Sequence, residues 1–373
     1  MAVPLLDLTA QNLALEESLQ AAFERVLRSG QYILGAEVRQ LEEAMERFTG
    51  AKHAIGVSSG TDALLLALMA AGIGPGDEVL CPTFTFFATA GCVARVGARP
   101  VFVDSVADTF NLDVADAARR ITPATKAIIP VHLYGQAAAM DEVMALADAH
   151  KLVVIEDTAQ SLGATYRGRQ LGTIGHIGTY SFFPSKNLGA LGEAGLVVTN
   201  DDAHADRVRL LRTHGAHPKY FHQFVGGNFR LDALQAALLA VKLPHLAGYT
   251  SARQRNAACY TARLAPLAGN RLILPQTAAG NVHIWNQYTL RVPGARRRDA
   301  LRAFCDSRQI GTEIYYPVPL HEQECFRPLG YGPDDLPVSR RLAGEVISIP
   351  VFPELTAAQR DEVIGAIGDF INS

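Results

Sequence analysis

Lys186 is the residue of this chain best placed to do covalent chemistry. It lies in Thr179–Asn200, TYSFFPSKNLGALGEAGLVVTN. Tyr180, Phe182, Phe183 and the turn-forming pair Pro184-Ser185 precede it. Gly189, Gly192 and Gly195 follow, and then the apolar run Leu196-Val197-Val198. A lysine among apolar residues and glycines is partly desolvated, which lowers its pKa and makes its amine a better nucleophile. Schiff-base chemistry needs such an amine. A surface lysine between two strands leaves the same local pattern, so other groups must converge on it.

Three polar stretches are candidates. Ser59-Gly60-Thr61-Asp62 stands between an apolar run and a helical pattern. Backbone N–H groups at a helix start favour an anion, Gly60 permits close approach and Thr61 adds a hydroxyl, which suits a phosphate. An ordinary N-cap explains the stretch equally well. Pro82 to Thr89, PTFTFFAT, alternates hydroxyls with rings, one of which could stack on a flat heterocycle or simply fill a core. Asp157 ends the apolar run of Leu152 to Glu156. A carboxylate there is costly unless paired, and a protonated pyridine nitrogen, an arginine or a helix start would pair it. Gln160 follows three residues on. A phosphate cradle, a stacking ring, a strand-end aspartate and a lysine together make up a pyridoxal 5'-phosphate site.

The elements that must position these groups are legible as apolar runs alternating with helical periodicity. Leu13–Ser29 and Ala36–Phe48 read as helices closed by Gly30 and Gly50. Buried strands are expected at Ala54–Val57, Glu78–Cys81, Pro100–Asp104, Lys126–Leu133, Leu152–Glu156, Gly178–Phe183 and Leu196–Thr199, with helices such as Ala63–Ala71 and Asp141–His150 between them. This alternation implies an α/β fold with a mostly parallel sheet covered on both faces. Ligands sit at the carboxyl ends of such strands, where the polar stretches fall. The pattern changes near Leu243-Pro244. A helix at Leu231–Val241 leads into a second at His245–Leu264, which with Val282–Val292, a helix at Ala295–Arg308 and the Pro-rich loop Tyr315–Leu320 reads as a smaller α+β domain. The expected division is 1–244 for the large domain and 245–373 for the small one.

Composition narrows the function. The chain has 373 residues, 49% hydrophobic and 19% charged, with a net charge of −3. This suits a two-domain globular enzyme and gives no electrostatic case for nucleic acid or an anionic membrane. The five cysteines are scattered, with no CxxC pair, so neither a disulfide framework nor a metal site is expected. No secretory leader is apparent and no apolar run is long enough to span a bilayer, so a reducing cytoplasm is the expected home. No GxGxxG follows the first strand, which disfavours a Rossmann oxidoreductase.

The motifs SSGTDAL, PTFTFFATA, PVHLYGQ, VIEDTAQSLGA, SFFPSKNLG, GEAGLVVTND and GGNFRLDALQAA resemble, in order and over essentially the whole chain, those of the DegT/StrS-type nucleotide-sugar aminotransferases. The resemblance implies a fold-type-I pyridoxal-phosphate transferase, with a seven-stranded-type sheet in its large domain. Lys186 matches the Schiff-base lysine, Asp157 the partner of the pyridine nitrogen and Gln160 the neighbour of the 3-hydroxyl. Phe86 matches the stacking ring. Gly60, Thr61 and Ser181 match phosphate ligands, and Asn228 a phosphate ligand given across a homodimer interface. Ala194 departs from the glycine usual in the family's G-[DE]-G-G.

The same resemblance implies transfer of an amino group from an amino acid, L-glutamate by family habit, to a nucleotide-linked keto-sugar. It leans to C-3 of a dTDP-deoxyhexose or a UDP-sugar. Tyr316 and His321 match a segment that contacts the sugar nucleotide, and Arg230 and Lys219 are further substrate candidates. A Pro-stiffened loop and solvated charges remain the alternatives for these four. C-4 transamination and a non-catalytic cofactor- or sugar-nucleotide-binding regulator are the rival functions. Retained Lys186 argues against the dehydratases of the family, which carry histidine there.

Overall fold

The computed structural model describes residues 2–294 and 296–373. Its centre is a seven-stranded sheet: β1 His53–Val57, β2 Glu78–Pro82, β3 Arg99–Val103, β4 Thr125–Ile128, β5 Val153–Asp157, β6 Ile177–Ser181 and β7 Gly195–Thr199. The spatial order is β1-β7-β6-β5-β4-β2-β3. Only β7 runs antiparallel to its neighbours. Nearly every strand residue is buried, because helices cover both faces and leave no solvent side to alternate with.

Helix Gly60–Ala70 lies in the core on one face, with seven of its eleven residues buried. On the other face Glu16–Ser29 and Ala36–Thr49 present Leu19, Ala22, Val26, Val38, Leu41 and Met45 at helical spacing to Ala233–Lys242 and β7. Gly30 and Gly50, both left-handed, close the two helices. A second core joins the antiparallel pair Tyr288–Arg291 and Val346–Ile349 to helices Leu246–Leu264, Arg297–Ser307 and Ala357–Asn372.

Several boundaries differ from the sequence-based expectation. The helix expected from Leu13 begins at Glu16, and a separate short helix, Thr9–Leu13, precedes it. The strand expected over Lys126–Leu133 stops at Ile128, and Leu133 lies in a single 3-10 turn. Pro130 interrupts the ladder there, since it has no N–H to give, and its carbonyl instead accepts from the Asp157 backbone N–H at 3.0 Å. The arginine-rich helix begins at Arg297, and Ala295 lies outside the described residues.

Two segments cross the expected domain division in space. Val3 bridges to Ile310 and packs in the second core. Leu320, Phe326 and Leu336 pack beneath the large sheet with Ile55 and Val79. No helix among the described residues is long and apolar enough to cross a membrane.

Candidate active site

Six parallel strands end on one edge of the sheet, and a cavity of about 640 Å³ opens there. Three strand ends supply its floor. Asp157 ends β5, Ser181 ends β6, and the turn after β1 delivers Ser59, Gly60 and Thr61. The start of β7 locks two of these together, because Gly195 pairs with Val57 on one side and Ser181 on the other. Gly60 is seated so tightly on β6 that a Cβ built on it would stand 2.6 Å from Ser181 Cβ.

The helix start is a ready anion site. The first N–H groups of a helix have no partner inside it. Ser59 Oγ accepts from the Asp62 N–H at 3.1 Å and the Ser59 carbonyl from Ala63 at 2.9 Å. This leaves the N–H groups of Gly60 and Thr61, at the cavity wall, for a ligand. Ser181 lines the same wall.

Asp157 is 5% exposed. Its Oδ2 accepts from Thr89 Oγ1 at 2.9 Å and its Oδ1 from the Ala159 N–H at 3.2 Å. Burial raises its pKa, opposed by these bonds and by the charge of Lys186. Lys186 sits in the turn after β6, its backbone N–H donating to Phe183 O at 2.8 Å. Burial lowers its amine to about 8, and Asp157 acts in the opposite sense. A carboxylate held ready for a cation and an amine eased toward its neutral form share one cavity.

Gln160 is oriented by its neighbours. Its Oε1 accepts from the Tyr134 N–H at 2.7 Å, which fixes Nε2 toward the Tyr316 hydroxyl at 3.0 Å. One Nε2 hydrogen remains. Phe86 is 56% exposed and lines the mouth, with its ring centroid 6.3 Å from that of Tyr316. Thus Lys186, Asp157, Gly60, Thr61, Phe86, Gln160, Ser181 and Tyr316 all meet in the cavity.

Four candidates do not. His321 is buried beside the cavity, its Nδ1 bonded to Thr83 Oγ1 at 2.8 Å, and it pins the Pro-rich loop rather than facing a ligand. Asn228 is exposed and bridges to Thr213. Arg230 pairs through its backbone with Val57, and its side chain lies outside the lining. Lys219 is exposed, with Nζ 5.0 Å from the centroid of the Tyr220 ring.

Sequence reasoning missed the residues that hold Asp157 in place. Thr89 is one. Another is the buried pair His132–Glu156 behind the strand end, 2.9 Å apart. Glu156 also accepts from the N–H groups of Gly172, Ile174 and Gly175. The TFTFFAT stretch contained Thr89, but nothing local said which hydroxyl faces β5. Glu193 and Glu313 also line the cavity, so that among the described residues Lys186 is its one Lys or Arg, against three carboxylates.

The residues fit a pyridine ring bearing a phosphate. An anion cradle, a buried carboxylate with no ion pair among the described residues and a desolvated amine would meet its phosphate, ring-nitrogen and aldehyde ends respectively. The profile of the DegT/DnrJ/EryC1/StrS aminotransferase family matches residues 14–368. A Geobacillus stearothermophilus protein named pleiotropic regulatory protein is 48% identical over 99% of both chains. The UDP-N-acetyl-3-dehydro-alpha-D-glucosamine 3-aminotransferase of Acidithiobacillus ferrooxidans is 44% identical over 99% of this chain and 97% of its own. The X-ray structure of S. venezuelae DesV in complex with a ketimine intermediate superposes with a TM-score of 0.96 at 42% identity, covering 100% of this chain and 99% of that one.

Proposed function

The chain belongs to the DegT/DnrJ/EryC1/StrS aminotransferase family, and from that premise we propose that it moves an amino group from L-glutamate to C-3 of a nucleotide-linked keto-sugar, with pyridoxal 5'-phosphate as cofactor. The single observation that carries this reading is the meeting of Lys186 and Asp157 beside an open helix start in one cavity. The 3-aminotransferase named above supports the ring carbon.

When bound, the cofactor supplies a ring that accepts the electron pair released at the donor carbon. The Gly60 and Thr61 N–H groups and the Ser181 hydroxyl would hold its phosphate. Asp157 would accept from the ring N–H and keep it protonated, Gln160 would spend its remaining Nε2 hydrogen on the 3-oxygen, and Phe86 would cover one ring face. Lys186 Nζ, whose pKa burial lowers to about 8, would hold the cofactor and, once freed, would move the proton between the donor carbon and the cofactor carbon on the other side of the shared nitrogen.

A cofactor phosphate and a sugar diphosphate are anionic, whereas among the described residues the cavity of one chain offers a single Lys or Arg against three carboxylates. The proposal therefore includes a homodimer with shared sites, in which the partner's Asn228, the partner's Arg230 and the partner's Lys219 complete the phosphate contacts. The regulatory name of the Geobacillus relative favours a second reading, in which the same cofactor site serves control. The intact Lys186–Asp157 pair supports chemistry over that role. A cytoplasmic location belongs to the same proposal.

The test is a visible spectrum of the purified chain loaded with pyridoxal 5'-phosphate. A lysine-bound cofactor band that L-glutamate bleaches is expected. Lys186→Ala should lose that band and lower the half-reaction by about 10²- to 10⁴-fold. No band with excess cofactor, or a band insensitive to amino acids, would refute the reading and bring the regulatory one forward.

A further inference from the structure

A second chamber of about 50 Å³ shares Ser185, Gln287 and Tyr315 with the large cavity, and Arg253, Asn286 and Ser348 also line it. Arg253 comes from helix Leu246–Leu264 and is 4% exposed. Its Nη1 donates to the carbonyls of Trp285 and Asn286 at 3.2 and 3.3 Å. Its Nε has no acceptor. No carboxylate of the described residues forms an ion pair with it, and Glu354 attracts it only from a distance. Burial lowers its pKa to about 10, which still leaves it charged at neutral pH.

A buried guanidinium with a free edge and no counter-ion is costly, and a ligand anion would relieve it. The chamber has room for a small group, since a single water needs only about 10–15 Å³ of such space. Gln287 Oε1 has no partner, and turning its amide would offer the anion a second donor. Asn286 is held differently. Its Nδ2 donates to Asn187 Oδ1 at 2.7 Å, so its unpartnered Oδ1 remains an acceptor that suits a water and discourages a second anion. Ser185, on the shared wall, directly precedes Lys186. A carboxylate in this chamber can therefore belong to a molecule whose nitrogen lies in the large cavity.

We infer that this chamber binds the α-carboxylate of the amino donor, with Arg253 as its anchor and Gln287 as the second donor. The inference rests on the aminotransferase reading above. It assigns the anchoring of the donor's α-carboxylate to the helix that carries Arg253 and leaves the sugar nucleotide to the open mouth.

The experiment compares L-glutamate with 4-aminobutyrate, which lacks the α-carboxylate, in bleaching the cofactor band of the loaded chain. Loss of a charge-assisted hydrogen bond predicts that Arg253→Met lowers the preference for L-glutamate about 10- to 100-fold. Arg253→Lys, which keeps the charge but not the fork, should fall between. It also serves if the methionine variant folds poorly. Glutarate, which has carboxylates but no nitrogen to transfer, should raise the melting temperature of the loaded wild-type chain and not that of the variants. A wild-type chain that L-glutamate bleaches, with variants whose preference stays within about twofold, overturns the inference and leaves the aminotransferase standing; such a chamber holds only water. A wild-type chain that L-glutamate leaves unchanged overturns both.

Discussion

Gly60→Ala sets two effects of opposite sign against each other. Alanine is the better helix former, and at an unstrained position the exchange stabilises by about 0.4–1 kcal/mol. The backbone of Gly60 is not left-handed, so conformation alone would allow that gain. The new methyl, however, would stand 2.6 Å from Ser181 Cβ and 3.1 Å from Ser181 Oγ and Cα. The Cα cannot rotate away, because Ser181 is paired with Gly195 in the sheet. Overpacking of this kind costs about 1–3 kcal/mol, so a net loss of roughly 1–2 kcal/mol is expected. Relief must come from lifting the helix start off β6, which pulls the Gly60 and Thr61 N–H groups away from Ser181. Cofactor affinity should then fall about 10-fold or more, at 1.4 kcal/mol per factor of ten. Denaturant unfolding of the cofactor-free chain reads the first quantity and fluorescence titration with pyridoxal 5'-phosphate the second. Adding Ser181→Gly removes the Cβ and Oγ contacts, so the double variant should recover about 1 kcal/mol relative to additivity. A Gly60→Ala chain as stable as the parent, with undiminished cofactor affinity, would refute the seating of the helix start on β6.

The buried carboxylates predict opposite responses to pH. Asp157 is raised above its ordinary 3.8, chiefly by burial. It therefore withdraws stability as pH climbs past that value through its folded pKa. Asp157→Asn should stabilise the cofactor-free chain at neutral pH, with the advantage vanishing in acid, while transamination is lost; unfolding curves across pH that show no neutral-pH gain would contradict this. Burial also pushes Glu156 upward, but His132 and the backbone N–H groups outweigh it and hold its pKa below the ordinary 4.5. Its stabilisation is present above that value and lost as pH falls through the range beneath it. Glu156→Gln should cost about 3 kcal/mol at neutral pH and progressively less in acid, and an equal cost at both ends of the range would refute the pairing with His132.

The large sheet was readable because its strands are apolar runs closed by glycine and polar turns, a local signal. Lys186, Asp157, Gly60 and Thr61 were readable for the same reason, since each lies at or shortly after the end of such a run. The antiparallel sense of β7 was not, because a buried strand has the same composition in either direction. The inward turn of His321 was not either, because it depends on Thr83, a residue far away in sequence. Arg253 lies in a helix whose sequence, SARQRNAACY, carries arginines two residues apart. Only the packing of Trp285, Asn286 and Phe352 around that helix decides which arginine is buried. Lys219, Asn228 and Arg230 lie outside the cavity lining of the single chain, so their place in the site rests on the homodimer proposed above.

The bridge between Val3 and Ile310 also bears on how the polypeptide assembles. Residues near the beginning of the chain complete a core whose other members lie toward its end. The large sheet is thus an insertion within the smaller body. During synthesis from the N-terminus, Val3 must wait while the sheet and its helices emerge and fold, since its partner is made late. Contacts of such long sequence separation slow folding and lengthen the exposure of apolar surface. The smaller body closes last, and the small chamber at Arg253 can form only once it has.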